Sequence, residues 1–312
     1  MRKLLIEEKQ ANRKIEKVIR DSFPNMPVSA MYKAFRKRDV KVNGTRVKED
    51  YTVSPGDMVE IYITDDILDG VKIKTDTASV HGFNVVYEDT NILIVNKEQG
   101  IPVHPDSIQT EGTLIDNVRA YLEYKGEYQK ETAFAPSLCH RIDRNTGGLV
   151  IIAKNPKALE IMLEKIKTRE IKKYYQCLIS GKMEKDWAEL KAYLEKDEFK
   201  SRVFIKDAPA KNAVEVITRY KVLSYQNNIS RLEIELVTGR THQIRAHLAH
   251  IGHPIIGDGK YGSNQLNRSL GAKIQALWAY KLEFDLKNAG MLSYLNGMKF
   301  EVEPEFKVKG NG

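Results

Sequence analysis

The chain is 312 residues long, which suits about two domains at ~150 residues each, and it carries 50 Lys and Arg against 42 Asp and Glu, a net charge of +8. With 42% hydrophobic residues and no run near the ~18 apolar residues of a membrane span, the composition excludes wholesale disorder and a transmembrane helix. Two cysteines, Cys139 and Cys177, are too few for a disulfide framework or a zinc cluster and fit a reducing cytoplasm. The opening MRKLLIEEKQ turns acidic before an apolar run develops, so no signal peptide is expected.

The surplus charge is uneven. Residues 1–64 hold 14 Lys or Arg against 9 Asp or Glu, whereas the remaining 248 residues hold 36 against 33. Between Lys33 and Lys48, seven cations (Lys33, Arg36, Lys37, Arg38, Lys41, Arg46, Lys48) stand with one acid, Asp39. Such a patch suits a phosphate backbone, because each neutralised phosphate releases condensed counterions; on charge alone, a solvated basic face would look the same. In RKIEKVIR, Ile15, Val18 and Ile19 recur at i, i+3 and i+4 and predict a helix that buries one stripe and leaves Arg13, Lys14 and Lys17 wet. A second helix is predicted from Ser29 as N-cap through AMYKAFRKR, with Met31, Ala34 and Phe35 inward and Lys33, Arg36 and Lys37 outward. Asn43-Gly44 within VKVNGTRV predicts a tight hairpin, and SPGD predicts a turn into an edge strand, MVEIYI. This order, with the phrases FRKRDVKVNG and VSPGDMVEIYI, resembles the αL RNA-binding module of a small-subunit ribosomal protein and of several RNA-modifying enzymes. The resemblance implies RNA contacts at Lys33, Arg36, Lys37 and Arg38.

Residues 65–80, DDILDGVKIKTDTASV, lack sustained periodicity and read as a linker between this module (1–64) and a larger domain (81–312). There FNVVYEDTNILIVNK predicts two strands about a turn at Asp89-Thr90-Asn91, and Thr113–Tyr124 has helical spacing. LVIIA reads as a buried strand, and Pro156 opens a helix with Leu159, Met162, Leu163 and Ile166 on one face. YYQCLI, AVEVITRYKVL and RLEIELV are further strands, a pattern of α+β type rather than regular βαβ units.

Two clusters interrupt these apolar runs. In SLCHRIDRNTGGLVIIAKN, Asp143 stands between Arg141 and Arg144 on a loop that Gly147 and Gly148 would make pliable. Held ionised by its neighbours, it could serve as nucleophile or base; equally, an Asp there could cap the turn and pair with Arg. In TGRTHQIRAHLAHIGHPIIGDGKYG, Thr241 is the predicted cap of a helix with Ile244, Leu248 and Ile251 inward and Gly252 as its stop. His242 and Arg245, three apart, can point at a common site. His242, His247, His250 and His253 come with no HExxH pattern, so no metal is expected. GHPIIGDGK has Asp258 where a phosphate loop needs Lys, and no GxGxxG follows a strand, so the chemistry reads as cofactor-free.

Together HRIDRNTGGLVIIAKN, KKYYQCLISG and LVTGRTHQIRAHLAHIGHPIIGDGKYG resemble the three signature blocks of the RluA-type family of RNA pseudouridine synthases, a likeness running from about Val85 to Phe284. It implies an α+β fold: the small αL domain, then a catalytic domain on a mixed, largely antiparallel sheet. By position Asp143 matches the family's essential aspartate, which attacks the target uridine on sugar or ring, and Arg245 matches the arginine that pairs with it. Tyr175 matches the tyrosine laid against the base, Lys173 the lysine of the same block, and Arg141 the arginine that fills the stack left by a flipped nucleotide. The chain departs from the family pattern at Gly147 (commonly Ser), Glu98 (commonly Pro) and Trp278 (commonly His). The expectation is a cytoplasmic, monomeric enzyme without metal, organic cofactor or membrane partner, acting on large-subunit ribosomal RNA. tRNA is the rival substrate, and a non-catalytic RNA-binding factor of the same fold is the alternative of another class.

Overall fold

The computed structural model of the chain describes residues 2–23, 26, 28–62, 82–106, 109–130, 134–197 and 202–308; the predicted linker at 65–80 lies outside them. The chain divides into two compact units, Met1–Val80 with Tyr87–Thr90, and the remainder. Among the described residues no helix is long and apolar enough to cross a membrane.

The N-terminal unit has helices α1 (Ile15–Ser22) and α2 (Val28–Lys37) with strands β1 (Arg2–Leu5), β2 (Val40–Val42), β3 (Thr45–Arg46) and β4 (Met58–Ile61), in the sheet order β1-β4-β2-β3. Ile15, Val18 and Ile19 are buried with Met31, Ala34 and Phe35 in one core, as the helical spacing predicts. Asn43 and Gly44 both take positive φ, 50° and 78°, which the twist of a two-residue hairpin demands. The buried Asp57 ties that turn to the SPGD turn, accepting from Asn43 Nδ2 and the Ser54 N–H, each at 2.8 Å. Two expectations are corrected. β4 is not an edge strand, because β1 pairs with its free side; β1 went unseen since mostly exposed RKLL is held by backbone bonds rather than by an apolar face. α2 begins at Val28, so Ser29 stands inside the first turn rather than capping it.

The larger unit is built on a sheet of eleven strands: β5 (Phe83–Glu88), β6 (Ile92–Lys97), β7 (Ser137–Leu138), β8 (Gly147–Ala153), β9 (Ile171–Ser180), β10 (Trp187–Asp197), β11 (Arg202–Lys206), β12 (Ala213–Gln226), β13 (Ile229–Leu236), β14 (Leu277–Phe284) and β15 (Lys299–Glu301). Its order is β11-β10-β12-β13-β9-β14-β8-β6-β5, with β15 on β14 and β7 on β8. β14 runs parallel to β8 and antiparallel to β9, so the sheet is mixed and mostly antiparallel. β8 is buried along its whole length, the unalternating apolar run expected of a central strand. Helix α3 (Leu114–Tyr124) starts on a capping box of Thr113 and Asp116 and adds Leu114, Ile115, Val118 and Leu122 to the core.

Helix α4 (Pro156–Lys167) begins as predicted, with Asn155 capping the Ala158 N–H and Pro156 in the first turn. Its buried face is Ala158, Ile161, Met162 and Lys165, whereas Leu163 is 48% exposed, which corrects the predicted stripe. The face is turned because Lys165 buries its stem and brings its ammonium to the Lys287 carbonyl and the Glu170 carboxylate. Helices α5 (Gln243–His250) and α6 (Asn264–Ser269) complete the unit.

Candidate active site

Asp143 lies on the loop that enters β8, and each residue from Asp143 to Thr146 is held by a hydrogen bond. The Asp143 carbonyl accepts from the Thr146 N–H at 3.0 Å, and the Arg144 carbonyl from the Gly100 N–H at 2.9 Å and from Lys97 Nζ at 3.0 Å. Gln99 Nε2 donates to the Asn145 carbonyl at 2.9 Å, and Gln275 Nε2 to Thr146 Oγ1 at 2.8 Å. Lys97, fully buried, also donates to the carbonyls of Glu98 and Ile101. Burial lowers its amine to about 7, with the charge of Asp143 acting the other way.

The two glycines do not make the loop pliable; both are buried in the strand. A Cβ on Gly147 would lie 2.5 Å from the indole of Trp278, its register partner on β14. A Cβ on Gly148, at φ +112°, would lie 2.2 Å from the Ala279 carbonyl oxygen. The departures at 147 and 278 are therefore one packing contact, in which the indole occupies the space a side chain would need. At the third departure, the Glu98 N–H donates to the Gly82 carbonyl at 3.0 Å, a bond proline could not make.

The carboxylate is not paired by its neighbours in sequence. Arg144 turns away to a two-oxygen contact with Asp106, at 2.8 and 2.7 Å, and Arg141 stands exposed at the rim. The partner is Arg245 on α5, whose Nη1 donates to Asp143 Oδ2 at 2.7 Å. Its Nε and Nη2 form a fork on Asp258, at 2.7 and 3.0 Å, and Asp258 also accepts the N–H groups of Lys260 and Tyr261. Burial works against charge on both groups. The hydrogen bond and charge of Asp258, joined by Asp143, nevertheless hold the guanidinium above its usual range, and Arg245 with the two N–H donors holds Asp258 below the usual carboxylate range. The acid that looked merely like a failed phosphate loop is thus the buried anchor of Arg245. Its sequence signal was an aspartate in a glycine-rich turn just after a basic helix.

α5 is preceded by His242, not Thr241, at its N-cap, and His242 takes the left-handed conformation with φ 54°. Its Nδ1 is 3.0 Å from Tyr261 Oη and its Nε2 is 3.9 Å from Asp143 Oδ2. Burial lowers the pKa of His242, and burial holds His140 near 3, so that His140 is a neutral ring accepting the Ile151 N–H.

β9 contributes two groups by its period of two. Lys173 and Tyr175 share the cleft face, while Tyr174 points the other way and donates to Glu283 at 3.2 Å. Tyr175 is 5% exposed, and burial, then the charge of Asp143, raises its phenol and keeps it protonated. Asp143, Arg245, Tyr175, Lys173, Arg141 and His242 all line one cleft of about 780 Å³. Arg36, Lys37 and Arg38 are exposed in the N-terminal unit and do not line it; the Lys33 side chain lies outside the described residues. Among the described residues no three His, Cys, Asp or Glu side chains gather as metal ligands.

A charged pair and a buried phenol share one cleft of this α+β unit, and the comparisons with known proteins show the family. The model of the RNA pseudouridylate synthase family matches residues 91–250. The RNA pseudouridine synthase YlyB of Bacillus subtilis is 30% identical over 284 residues, covering 91% of this chain and 89% of that protein. An RNA pseudouridine synthase of Mycoplasma capricolum is 31% identical over 312 residues, covering 98% and 99%, and the ribosomal large subunit pseudouridine synthase C of Vibrio cholerae is 32% identical over 267 residues, covering 84% and 81%. The human RNA pseudouridylate synthase domain containing 1 shares the fold, with a TM-score of 0.57 at 22% identity over 72% of this chain and 85% of that one. This chain belongs to the RNA pseudouridylate synthase family.

Proposed function

We propose that this protein isomerises uridine to pseudouridine in large-subunit ribosomal RNA with Asp143 as nucleophile, as a cytoplasmic monomer needing neither metal nor organic cofactor. The observation that carries the reading is the Asp143–Arg245–Asp258 chain: one arginine, pinned from behind by a buried carboxylate, aims a second carboxylate into the cleft. In the reaction the C1′–N1 bond breaks and a C1′–C5 bond forms; N1 takes up a proton and C5 gives one up. Asp143 starts the exchange by attacking sugar or ring, and Arg245 fixes its rotamer and keeps it anionic. Tyr175 lies against the base, with Lys173 beside it on the same strand face. A base inside a helix is out of reach, so the uridine is extruded, and Arg141 at the rim stacks into the vacancy. Relatives named for the ribosomal large subunit support the choice of RNA. The N-terminal unit, residues 1–64, would hold that RNA through Lys33, Arg36, Lys37 and Arg38, with 65–80 as linker and 81–312 as the catalytic domain.

The test is a pseudouridine map of total RNA from cells with and without the protein. Positions in large-subunit rRNA should lose pseudouridine in the deletion, regain it with wild type, and stay uridine with Asp143→Asn, which still binds RNA. Unchanged large-subunit rRNA in the deletion overturns the substrate, and restoration by Asp143→Asn overturns the nucleophile.

A further inference from the structure

Beside the carboxylate is a group that the reading of Asp143 as nucleophile leaves without a task. We propose that His242 is a further catalytic residue, a neutral imidazole whose Nε2–H donates to an oxygen of the target nucleotide held at Asp143; the proposal rests on that reading of Asp143.

Three observations carry it. The first is the backbone. A helix N-cap is ordinarily extended, yet His242 sits at φ 54°, ψ 15°, a left-handed conformation uncommon for a residue with a side chain and found at sites where geometry is imposed. The second is the hydrogen bonding of the ring. Tyr261 Oη accepts the Val203 N–H at 3.0 Å and stands 3.0 Å from His242 Nδ1; with the phenol proton assigned to that second bond, the imidazole carries its hydrogen on Nε2. Tyr261 is itself fixed, with the guanidinium carbons of Arg202 and Arg245 lying 5.2 and 5.3 Å from its ring centre.

The third is the gap. Nε2 is 3.9 Å from Asp143 Oδ2, too far for a hydrogen bond and close enough for one oxygen to contact both. The charged groups around the ring are Asp143, Arg245, Lys260 and Asp258; burial outweighs the pull of the acids, so the donor is the neutral form. A ring that only capped the helix would need neither the left-handed turn nor a tautomer that leaves its one N–H facing the carboxylate. Tyr261 acts through His242 and is a positioning residue.

The experiment is single-turnover release of tritium from C5-labelled uridine, in total RNA from a strain lacking the protein, with RNA affinity measured in parallel. For His242→Ala the saturating rate constant is expected to fall about 10²-fold while RNA affinity stays within about threefold of wild type. His242→Gln, whose amide N–H reaches the position of Nε2, should recover the rate to within about tenfold of wild type. Tyr261→Phe frees the tautomer and should slow the step roughly tenfold with affinity unchanged. A wild-type rate in His242→Ala, a loss confined to affinity, or a glutamine variant as slow as alanine overturns the proposal. Should His242→Ala fail to fold, Tyr261→Phe decides, and a wild-type rate there overturns it. Activity in Asp143→Asn would instead overturn the reading of the nucleophile on which it rests.

Discussion

The two units of this protein handle charge in opposite ways. In the N-terminal unit the cations Arg36, Lys37 and Arg38 stand in water at the end of α2. In the larger unit the informative charges are buried: Arg245 between two carboxylates, Asp258 with its side chain fully enclosed, and Lys97 among three carbonyls. Exposed cations act by number, are screened by salt and can replace one another. Buried ones act by geometry, since each enclosed charge must find its partners at bonding distance.

The sharpest way to break this contrast is an exchange that keeps the charge. Arg245→Lys retains the cation but cannot fork onto Asp258 while reaching Asp143, so activity should fall by about 10²-fold or more and stability by about 3 kcal/mol. Urea unfolding and single-turnover rates check both, with Arg36→Lys and Arg38→Lys as controls expected to stay within about twofold.

Acid should weaken one unit before the other. All seven histidines lie from His81 onward, and burial holds His140 near 3 and His247 near 4. Between those values and the ordinary 6.5 the unfolded chain binds protons that the folded chain refuses, so stability rises with pH across that window and is lost on acidification. Moving from pH 7 to 5 should remove about 2 kcal/mol per group. Hydrogen exchange should show the loss in the larger unit and little change in the smaller.

A smaller effect is expected behind the active loop. Gly147→Ser places a Cβ in the indole of Trp278 and should destabilise by about 1–3 kcal/mol. With Trp278→His in the same chain, the pair should lose less than the sum of the two single changes, read from unfolding midpoints. Least visible in stability is the triple change of Arg36, Lys37 and Arg38 to Ala, expected within about 0.5 kcal/mol of wild type. Its mark should be on binding: weaker RNA affinity, and a plot of log affinity against log salt shallower by about 2. An unchanged slope would remove these residues from the RNA-binding surface.

What was legible in the sequence was mostly local. The stripe of α1, the inward residues of α2, the Asn43-Gly44 turn and the Pro156 start of α4 follow from spacing within a few residues. β4 was misjudged as an edge because its partner β1 lies at the start of the chain and carries no apolar alternation. At the site, motif likeness and helix spacing brought forward Asp143, Arg245 and His242, and strand parity separates Tyr175 from Tyr174. Asp258 was out of view because its meaning depends on Arg245 reaching back across a turn. Gly147 was read as freedom because nothing near it in the chain announces that Trp278 fills its space.

The clamp on the loop from Asp143 to Thr146 has a consequence for how RNA would be chosen. Lys97, Gln99, Gly100 and Gln275 hold consecutive residues of that loop, so the carboxylate does not travel to its target. On the proposed reading of Asp143 as nucleophile, the uridine would make the whole journey, and the work of unstacking would fall on the nucleic acid. Stretches whose stacking is weak, such as loops and junctions, then present their uridines more readily than a regular helix of identical letters. Part of the selectivity of this enzyme would therefore reside in the mechanical compliance of the RNA.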